Sequence, residues 1–420
     1  MASTGKIVEV LFEKTKETYE HQMQLLDLTM YEEPESGTMQ NSGNIVWRPV
    51  QQHAPIINGW DLTGQETGII EETYPAILGE PANDFVKQRA DDLRDMSFWE
   101  RRGTQSGKRQ ATELNSRIAT VAAVQGSKFY RSNVTSGYDF IAEGQALLNE
   151  SQQYHSDRCF VLNDRDQLKF SKDLAGRQTL QGRPEETWKT GQIGQNVAEF
   201  DVYTGSYLPN LAGGANPATT CTGAQSFVPE GGSVNNTTGV VTNVDYRIAD
   251  IVVADSSSYN VGDKVSIGAI EAIGLADKNS TGQLMTFTVV DKPDGTTLSI
   301  YPKPIAADDA GLSTLELAYA NVDTGIAGGE TVDRLNIDTS AKTNIFWDKS
   351  AIEVLGGTIP ANLFSEYDGM KVLTDTMANG QQLYMVYDGN LNDMSFRYRL
   401  FTWYGITMCN PQNAGVAVTY

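Results

Sequence analysis

The chain has 420 residues, 40% hydrophobic and 20% charged, with a formal net charge of −21. It is too apolar for a disordered chain and long enough for more than one domain. Its acidity excludes phosphate neutralisation as its main work, and no run approaches the roughly 18 apolar residues of a membrane span. The first twelve residues lack the basic and long apolar regions of a secretory signal, so the expectation is a chain folded in a cytoplasm. Its three cysteines, Cys159, Cys221 and Cys409, are far apart and odd in number, which excludes a disulfide framework and a close zinc-binding pair.

The charge is segregated. Residues 1–83 hold thirteen acids against four bases, Lys6, Lys14, Lys16 and Arg48. Residues 87–131 hold ten bases against five acids, Asp91, Asp92, Asp95, Glu100 and Glu113. Opposite signs in one chain suggest contact between these segments or between copies of them.

Taken in order, residues 1–33 read as a helix ended by Pro34, with Ile7, Val10, Leu11, Lys14 and Thr18 drifting round one face. Glu9, Glu13 and Glu17 repeat at four-residue spacing on another, either as a solvated face or as a docking stripe for a basic helix. Residues 35–80 are rich in Gly, Pro, Asn and Thr without helical periodicity, as in a long hairpin or looped arm packed outside the monomer. Residues 81–124 read as the strongest helix, capped by Asn83 or Asp84 and broken near Gly103 and Gly107. At its start Arg89, Asp91, Asp92, Arg94, Asp95, Arg101 and Arg102 interleave both signs, which suits ion pairing with protein neighbours and not a phosphate track.

Residues 138–180 look mixed, with a helix at 140–148 and a short buried strand at 159–162. From 222 to about 345 the pattern is β throughout, with strands at 248–254, 264–267, 284–290 and 297–301 separated by turn signals. That spacing suggests a small antiparallel barrel or sandwich with Ile251, Val253, Val265, Ile267, Phe287, Val289 and Ile300 as its core.

Catalytic patterns are missing. His21, His53 and His155 have no zinc-binding spacing, and the alternation of His155, Asp157 and Cys159 reads as a polar face beside a buried thiol. Residues 103–109, GTQSGKR, fail as a phosphate loop: three residues separate the glycines, and Arg109 stands where Ser or Thr is required. Asp91–Asp92 and Asp308–Asp309 are carboxylate pairs in sequence only. No catalytic, metal or cofactor site is expected.

Several stretches resemble the major coat protein of P22-type short-tailed phages. They include Gly59-Trp60-Asp61-Leu62-Thr63, Gly79-Glu80-Pro81 with Asn83-Asp84-Phe85, and Arg89 to Asp95. Further along come Gly223-Ala224-Gln225-Ser226-Phe227, Pro302-Lys303-Pro304, Ala318-Tyr319-Ala320-Asn321-Val322, Asn344 to Trp347, Ile359-Pro360-Ala361-Asn362 and Trp403-Tyr404-Gly405. They keep their order over roughly residues 6–416.

The resemblance implies an α+β, HK97-like capsid fold: an N-terminal arm (1–33), an extended loop (34–80), and a spine helix in a peripheral domain (81–137). Axial and peripheral segments follow at 138–221 and 346–420, flanking an inserted small antiparallel β-barrel (222–345). It implies hexamers and pentamers in an icosahedral phage head that encloses dsDNA, assembled with a scaffolding protein, filled through a portal protein and later expanded. Glu9, Glu13 and Glu17 become candidates for scaffold docking. Trp60, Asp61, Arg89, Asp91, Asp92, Arg94, Asp95, Arg101 and Arg102 become candidates for subunit interfaces, and Asn235, Asn236, Thr237 and Thr238 for a loop between capsomers. That loop carries no charge, so hydrogen bonds are expected there and not ion pairs. Residues 17–86 contain no lysine, so the lysine cross-link of some shells is expected to be absent. The rival reading is a phage-associated carbohydrate-binding or hydrolytic β-rich protein, which would need aromatics flanking paired carboxylates.

Overall fold

Thirty residues, Met96–Gln125, form one unbroken helix in the computed structural model. The structure describes residues 3–34, 43–51, 53, 59–61, 63, 71–89, 95–132, 137–152, 157–176, 194–231, 244–336, 341–360, 370–390, 392 and 394–419. The chain divides into two units. The first comprises Met1–Val46, Ala76–Ile118 and Glu353–Thr407; the second comprises Trp47–Pro75, Ala119–Ile352 and Met408–Tyr420.

In the first unit the arm forms helix α1, Ser3–Gln22. It does not continue to Pro34: a 3-10 turn at Leu26–Leu28 and a strand at Met30–Glu32 follow. Its buried face is Val8, Leu11, Phe12, Thr15 and Tyr19, one residue out of phase with much of the expected stripe. Packing against the long helix, α2 (Met96–Gln125), explains the shift. A Cβ added at Gly103 would lie 2.7 Å from the Leu11 carbonyl oxygen, and one at Gly107 would lie 2.6 Å from that of Thr15. The two glycines therefore mark where the helix backbones touch, and the expected break near them does not occur. The same finding removes any phosphate loop from 103–109, since those residues are helical.

The helix also starts later than its sequence suggests. Residues Ala82–Arg89 are strand β1, paired with β4 (Ser395–Thr402). Strands β2 (Lys371–Thr376) and β3 (Gln382–Asn390) complete an antiparallel sheet in the order β2-β3-β4-β1, which leaves β1 at an edge. The helix cap is Asp95, whose Oδ1 accepts from the Ser97 amide at 3.0 Å and the Ser97 hydroxyl at 2.7 Å. Asn83 and Asp84 mimic a cap in sequence because Asp84 points inward from a strand, where an alternating pattern would place an apolar residue.

In the second unit a seven-stranded sheet runs through Lys128–Ser132, Ala414–Thr419, Ala341–Asp348, Arg158–Leu162, Phe200–Thr204 and Gly194–Val197, with Asn210–Leu211 beside the third of these. The expected helix and strand near 140–162 are present as Gly137–Glu150 and Arg158–Leu162. Phe140, Phe160, Phe200 and Phe346 form its aromatic core.

Six antiparallel strands lie in the order Thr219–Thr220, Thr331–Arg334, Lys264–Ile267, Phe287–Asp291, Thr297–Tyr301 and Ala249–Val252. A bridge between Cys221 and Val253 joins the first segment to the last and closes a barrel. Ile251, Val253, Val265, Ile267, Phe287, Val289 and Ile300 are all within its buried cluster. The barrel spans 219–334, so the expected boundary at 345 falls inside Ala341–Asp348, a strand of the other sheet.

Replacing Gly107 by Ala tests the helix contact. Alanine favours an isolated helix by about 1 kcal/mol, but the 2.6 Å approach to the Thr15 carbonyl should override it. A net loss of about 1–3 kcal/mol is expected in urea or thermal unfolding. Unchanged or higher stability would contradict the close packing.

Candidate assembly surfaces

The exposed face of α1 presents Glu9, Glu13 and Glu17, with Glu17 paired to Lys14 at 2.6 Å. Each turn of α1 returns a glutamate to nearly the same face because a four-residue spacing is close to the 3.6 residues of one helical turn.

The interleaved charges near residue 90 do not form one helical face. Arg89 ends β1 and is exposed; Asp91, Asp92 and Arg94 lie outside the described residues. Asp95 caps α2, and Arg101 stands 3.9 Å from it with 71% of its side chain exposed. Arg102 turns inward. Its Nη2 donates to both Asp84 oxygens at 3.1 Å, and its Nε donates to Tyr398 Oη at 3.0 Å. Ser106 adds a 2.5 Å bond to Asp84. This cation is committed within its own subunit, and it joins α2 to β1 and β4. Asp84 is the partner that the sequence reading missed, since its carboxylate looked like a helix cap.

Trp60 is fully exposed. Beside it Asp61 accepts from the Thr63 amide at 3.0 Å and hydroxyl at 2.6 Å, bonds that hold its carboxyl below the usual range. Asn235, Asn236, Thr237 and Thr238 lie outside the described residues.

The root of the extended loop is a hairpin. Strands Ile45–Pro49 and Thr73–Ile77 pair, and the Val50 amide donates to the Glu72 carbonyl at 2.8 Å. The Glu72 amide in turn donates to Tyr319 Oη at 2.9 Å. The Glu72 side chain enters a cavity of about 90 Å³ lined also by Val50, Arg247, Tyr301, Lys303 and Tyr319. Its Oε1 is buried and has no hydrogen-bond partner among the described residues. Burial pushes its carboxyl up to about 7, against the pull of the Lys303 and Arg247 cations and the Glu230 amide.

Arg247 holds this region together. It makes a two-pronged pair with Asp245, with bonds of 2.9 and 2.7 Å, and donates to the carbonyls of Met408 and Cys409 at 2.8 Å. The Tyr74 ring lies 3.7 Å from its guanidinium carbon. Nearby, buried Lys264 donates to the carbonyls of Val124 and Gly126, at 3.2 and 2.5 Å, and to Thr288 Oγ1 at 3.0 Å. A barrel lysine thus caps carbonyls at the end of α2. Burial lowers that ammonium's pKa to about 7. Neither cation stands out in sequence, because no local pattern marks a long-range partner.

These residues form surfaces and joints. Among the described residues no group of His, Cys, Asp and Glu is arranged to hold a metal. Cys159 is buried against the Trp347 carbonyl, and burial pushes its thiol well above the ordinary value.

Residues 1–419 match the family described as P22 coat protein, gene protein 5. The chain belongs to the P22 coat protein family. This coat protein is a structural component of the virion capsid and assembles with copies of itself into an icosahedral shell. Similar solved structures include the capsid of cyanophage P-SCSP1u, at 9% identity over 95% of this chain and 88% of that one, with a TM-score of 0.43. A structure from Mycobacterium phage Che8 is 11% identical over 94% and 90%, with a TM-score of 0.41. The CUS-3 coat protein I-domain is 28% identical over 29% of this chain and 99% of that chain, with a TM-score of 0.23.

In the coat protein, Glu72 gives a pH dependence with a definite sign. Its folded pKa is near 7 and its ordinary value 4.5, so the folded chain holds the proton more tightly. Stability therefore falls as pH rises from about 4.5 to 7 and levels off above. Glu72→Gln should flatten that window and raise stability at pH 8 by up to about 3 kcal/mol. Urea titrations at several pH values check this; parallel curves for the two chains would contradict it.

Proposed function

We propose that the chain is the noncatalytic major building block of a tailed-phage head, an HK97-like subunit arranged in hexamers and pentamers around dsDNA. The chain-long family match carries this reading. The architecture supports it, with an arm helix, a hairpin-rooted loop, a long helix on a four-stranded sheet, and a barrel standing between segments of a larger sheet. The extended loop overlies a neighbouring subunit, and Trp60, Asp61, Arg89, Asp95 and Arg101 serve as interface residues, together with Asp91, Asp92 and Arg94. Arg102 acts there indirectly, by fixing Asp84 and the sheet.

The Glu9, Glu13 and Glu17 face receives a basic segment of a scaffolding protein. Exposed charge suits that task, since such contacts are weak and screened by salt and the scaffold must leave. The uncharged segment with Asn235, Asn236, Thr237 and Thr238 reaches a neighbouring capsomer through hydrogen bonds. Assembly takes place in the host cytoplasm, DNA enters through a portal protein, and expansion follows. The acidic balance of the chain keeps packaged DNA from adhering to the wall.

Negative-stain microscopy of the chain, alone and with scaffold, tests the reading: closed shells or curved sheets are expected, and uniform small oligomers would oppose it. Reversing Glu13 and Glu17 to Lys should cut the yield of scaffold-containing procapsids at least tenfold while thermal unfolding stays unchanged. Normal procapsid yield and scaffold content would reject that docking face.

A further inference from the structure

Two distant stretches of the second unit meet at Glu71–Thr73, where the extended loop returns. A Cβ added at Gly231 would lie 2.8 Å from the Glu71 carbonyl oxygen, 3.0 Å from the Thr73 amide nitrogen and 3.2 Å from the Glu72 Cα. The backbones therefore touch, with no room for a side chain between them. The Glu230 amide also faces the Glu72 carboxyl. Residues 232–243, which include Asn235 to Thr238, follow directly on Gly231.

One buried cation serves this contact. The Lys303 side chain is 6% exposed, and its Nζ donates to the Val228 carbonyl at 3.2 Å and to Glu230 Oε2 at 3.4 Å. Both bonds are long for an ammonium. Glu230 is 55% exposed, so the pair is weak. Lys303 shares its cavity of about 90 Å³ with Glu72, which is 4% exposed and whose Oε1 has no partner among the described residues. That volume is several times what one water needs, so an ammonium has room to move.

The other groups around Glu72 are fixed or held protonated. Arg247 is committed to Asp245 and to two carbonyls. Burial raises the phenols of Tyr301 and Tyr319, so both keep their protons through neutrality. Cys409 lines the same cavity, and Glu71 and Glu230 are exposed. Lys303 is the one cation there whose present bonds are loose.

We propose that Lys303 is a movable tie: it holds the Val228–Glu230 stem while Glu72 is protonated, and it turns to Glu72 Oε1 when that carboxyl gives its proton to solvent. One proton thus decides which of two segments a barrel cation secures. Turning to Glu72 offsets part of the cost of burying the carboxylate, and it frees Glu230 and the Val228 carbonyl. The consequence for assembly rests on the reading above: two segments that reach neighbours share one joint, so a change at either root is felt at the other.

The test follows the valine methyl signals of the unassembled full chain by NMR, titrated from acid to mildly alkaline pH. Val50, bonded to the Glu72 backbone, and Val228, bonded to Lys303, are the reporters. Both should titrate with one midpoint, and Glu72→Gln should abolish both responses. Lys303→Gln should abolish the Val228 response and leave that of Val50. Glu230→Gln, a change at an exposed side chain, should lower the midpoint by about 0.3 to 0.7 pH unit, the worth of a half-exposed ion pair. In the Lys303→Gln chain the same change should shift it much less. A Val50 response without one at Val228, a Val228 response that survives Lys303→Gln, or a Glu230→Gln shift of equal size with and without Lys303 would each overturn the tie. If the buried substitutions do not fold, the Glu230→Gln midpoint decides, and an unmoved midpoint rejects the tie. None of these readouts needs shells, so the tie stands or falls apart from the assembly reading.

Discussion

A single buried guanidinium ties together pieces of the second unit that lie far apart in sequence. Arg247 spans Asp245, the carbonyls of Met408 and Cys409, and the ring of Tyr74 at the foot of the loop. Taking that charge out of water costs several kcal/mol, which its four hydrogen bonds to Asp245, Met408 and Cys409 offset. The joint is therefore specific in geometry, and lysine could not replace its planar fork. Lys264 follows the same logic at the end of α2, with three acceptors for three ammonium protons. The barrel has its own apolar core, but polar contacts with narrow geometric tolerance hold it and the loop root in place.

The barrel was the most legible part of the sequence. Short β-branched runs between Asn-Val-Gly-Asp and Pro-Asp-Gly turns gave strands whose inward residues, such as Ile251 and Phe287, are fully buried. Local propensity and tertiary demand agree there. The strand at Ala82–Arg89 was illegible for the opposite reason. Its inward position holds Asp84, satisfied by Arg102 and Ser106 from twenty residues on, and no local pattern announces such a partner. Gly103 and Gly107 misled in a related way. Taken alone they weaken a helix, whereas here they let a second helix approach to backbone contact.

The assembly surfaces were legible as charge but not as geometry. The glutamate stripe on α1 is where its periodicity put it. Of the interleaved charges around residue 90, Asp95 became a cap and Arg102 an internal tie, because a strand and a helix, not one helix, carry them.

In the proposed assembly this chain folds with ring and charged surfaces left open, and copies of itself cover them. Amide hydrogen exchange on the unassembled subunit and on closed shells tests this most directly. Protection is expected to rise at least tenfold along β1, Ala82–Arg89, and around Trp60, while the barrel strands Lys264–Ile267 and Phe287–Asp291 stay as they were. Equal exchange of the edge strand in both states would contradict it.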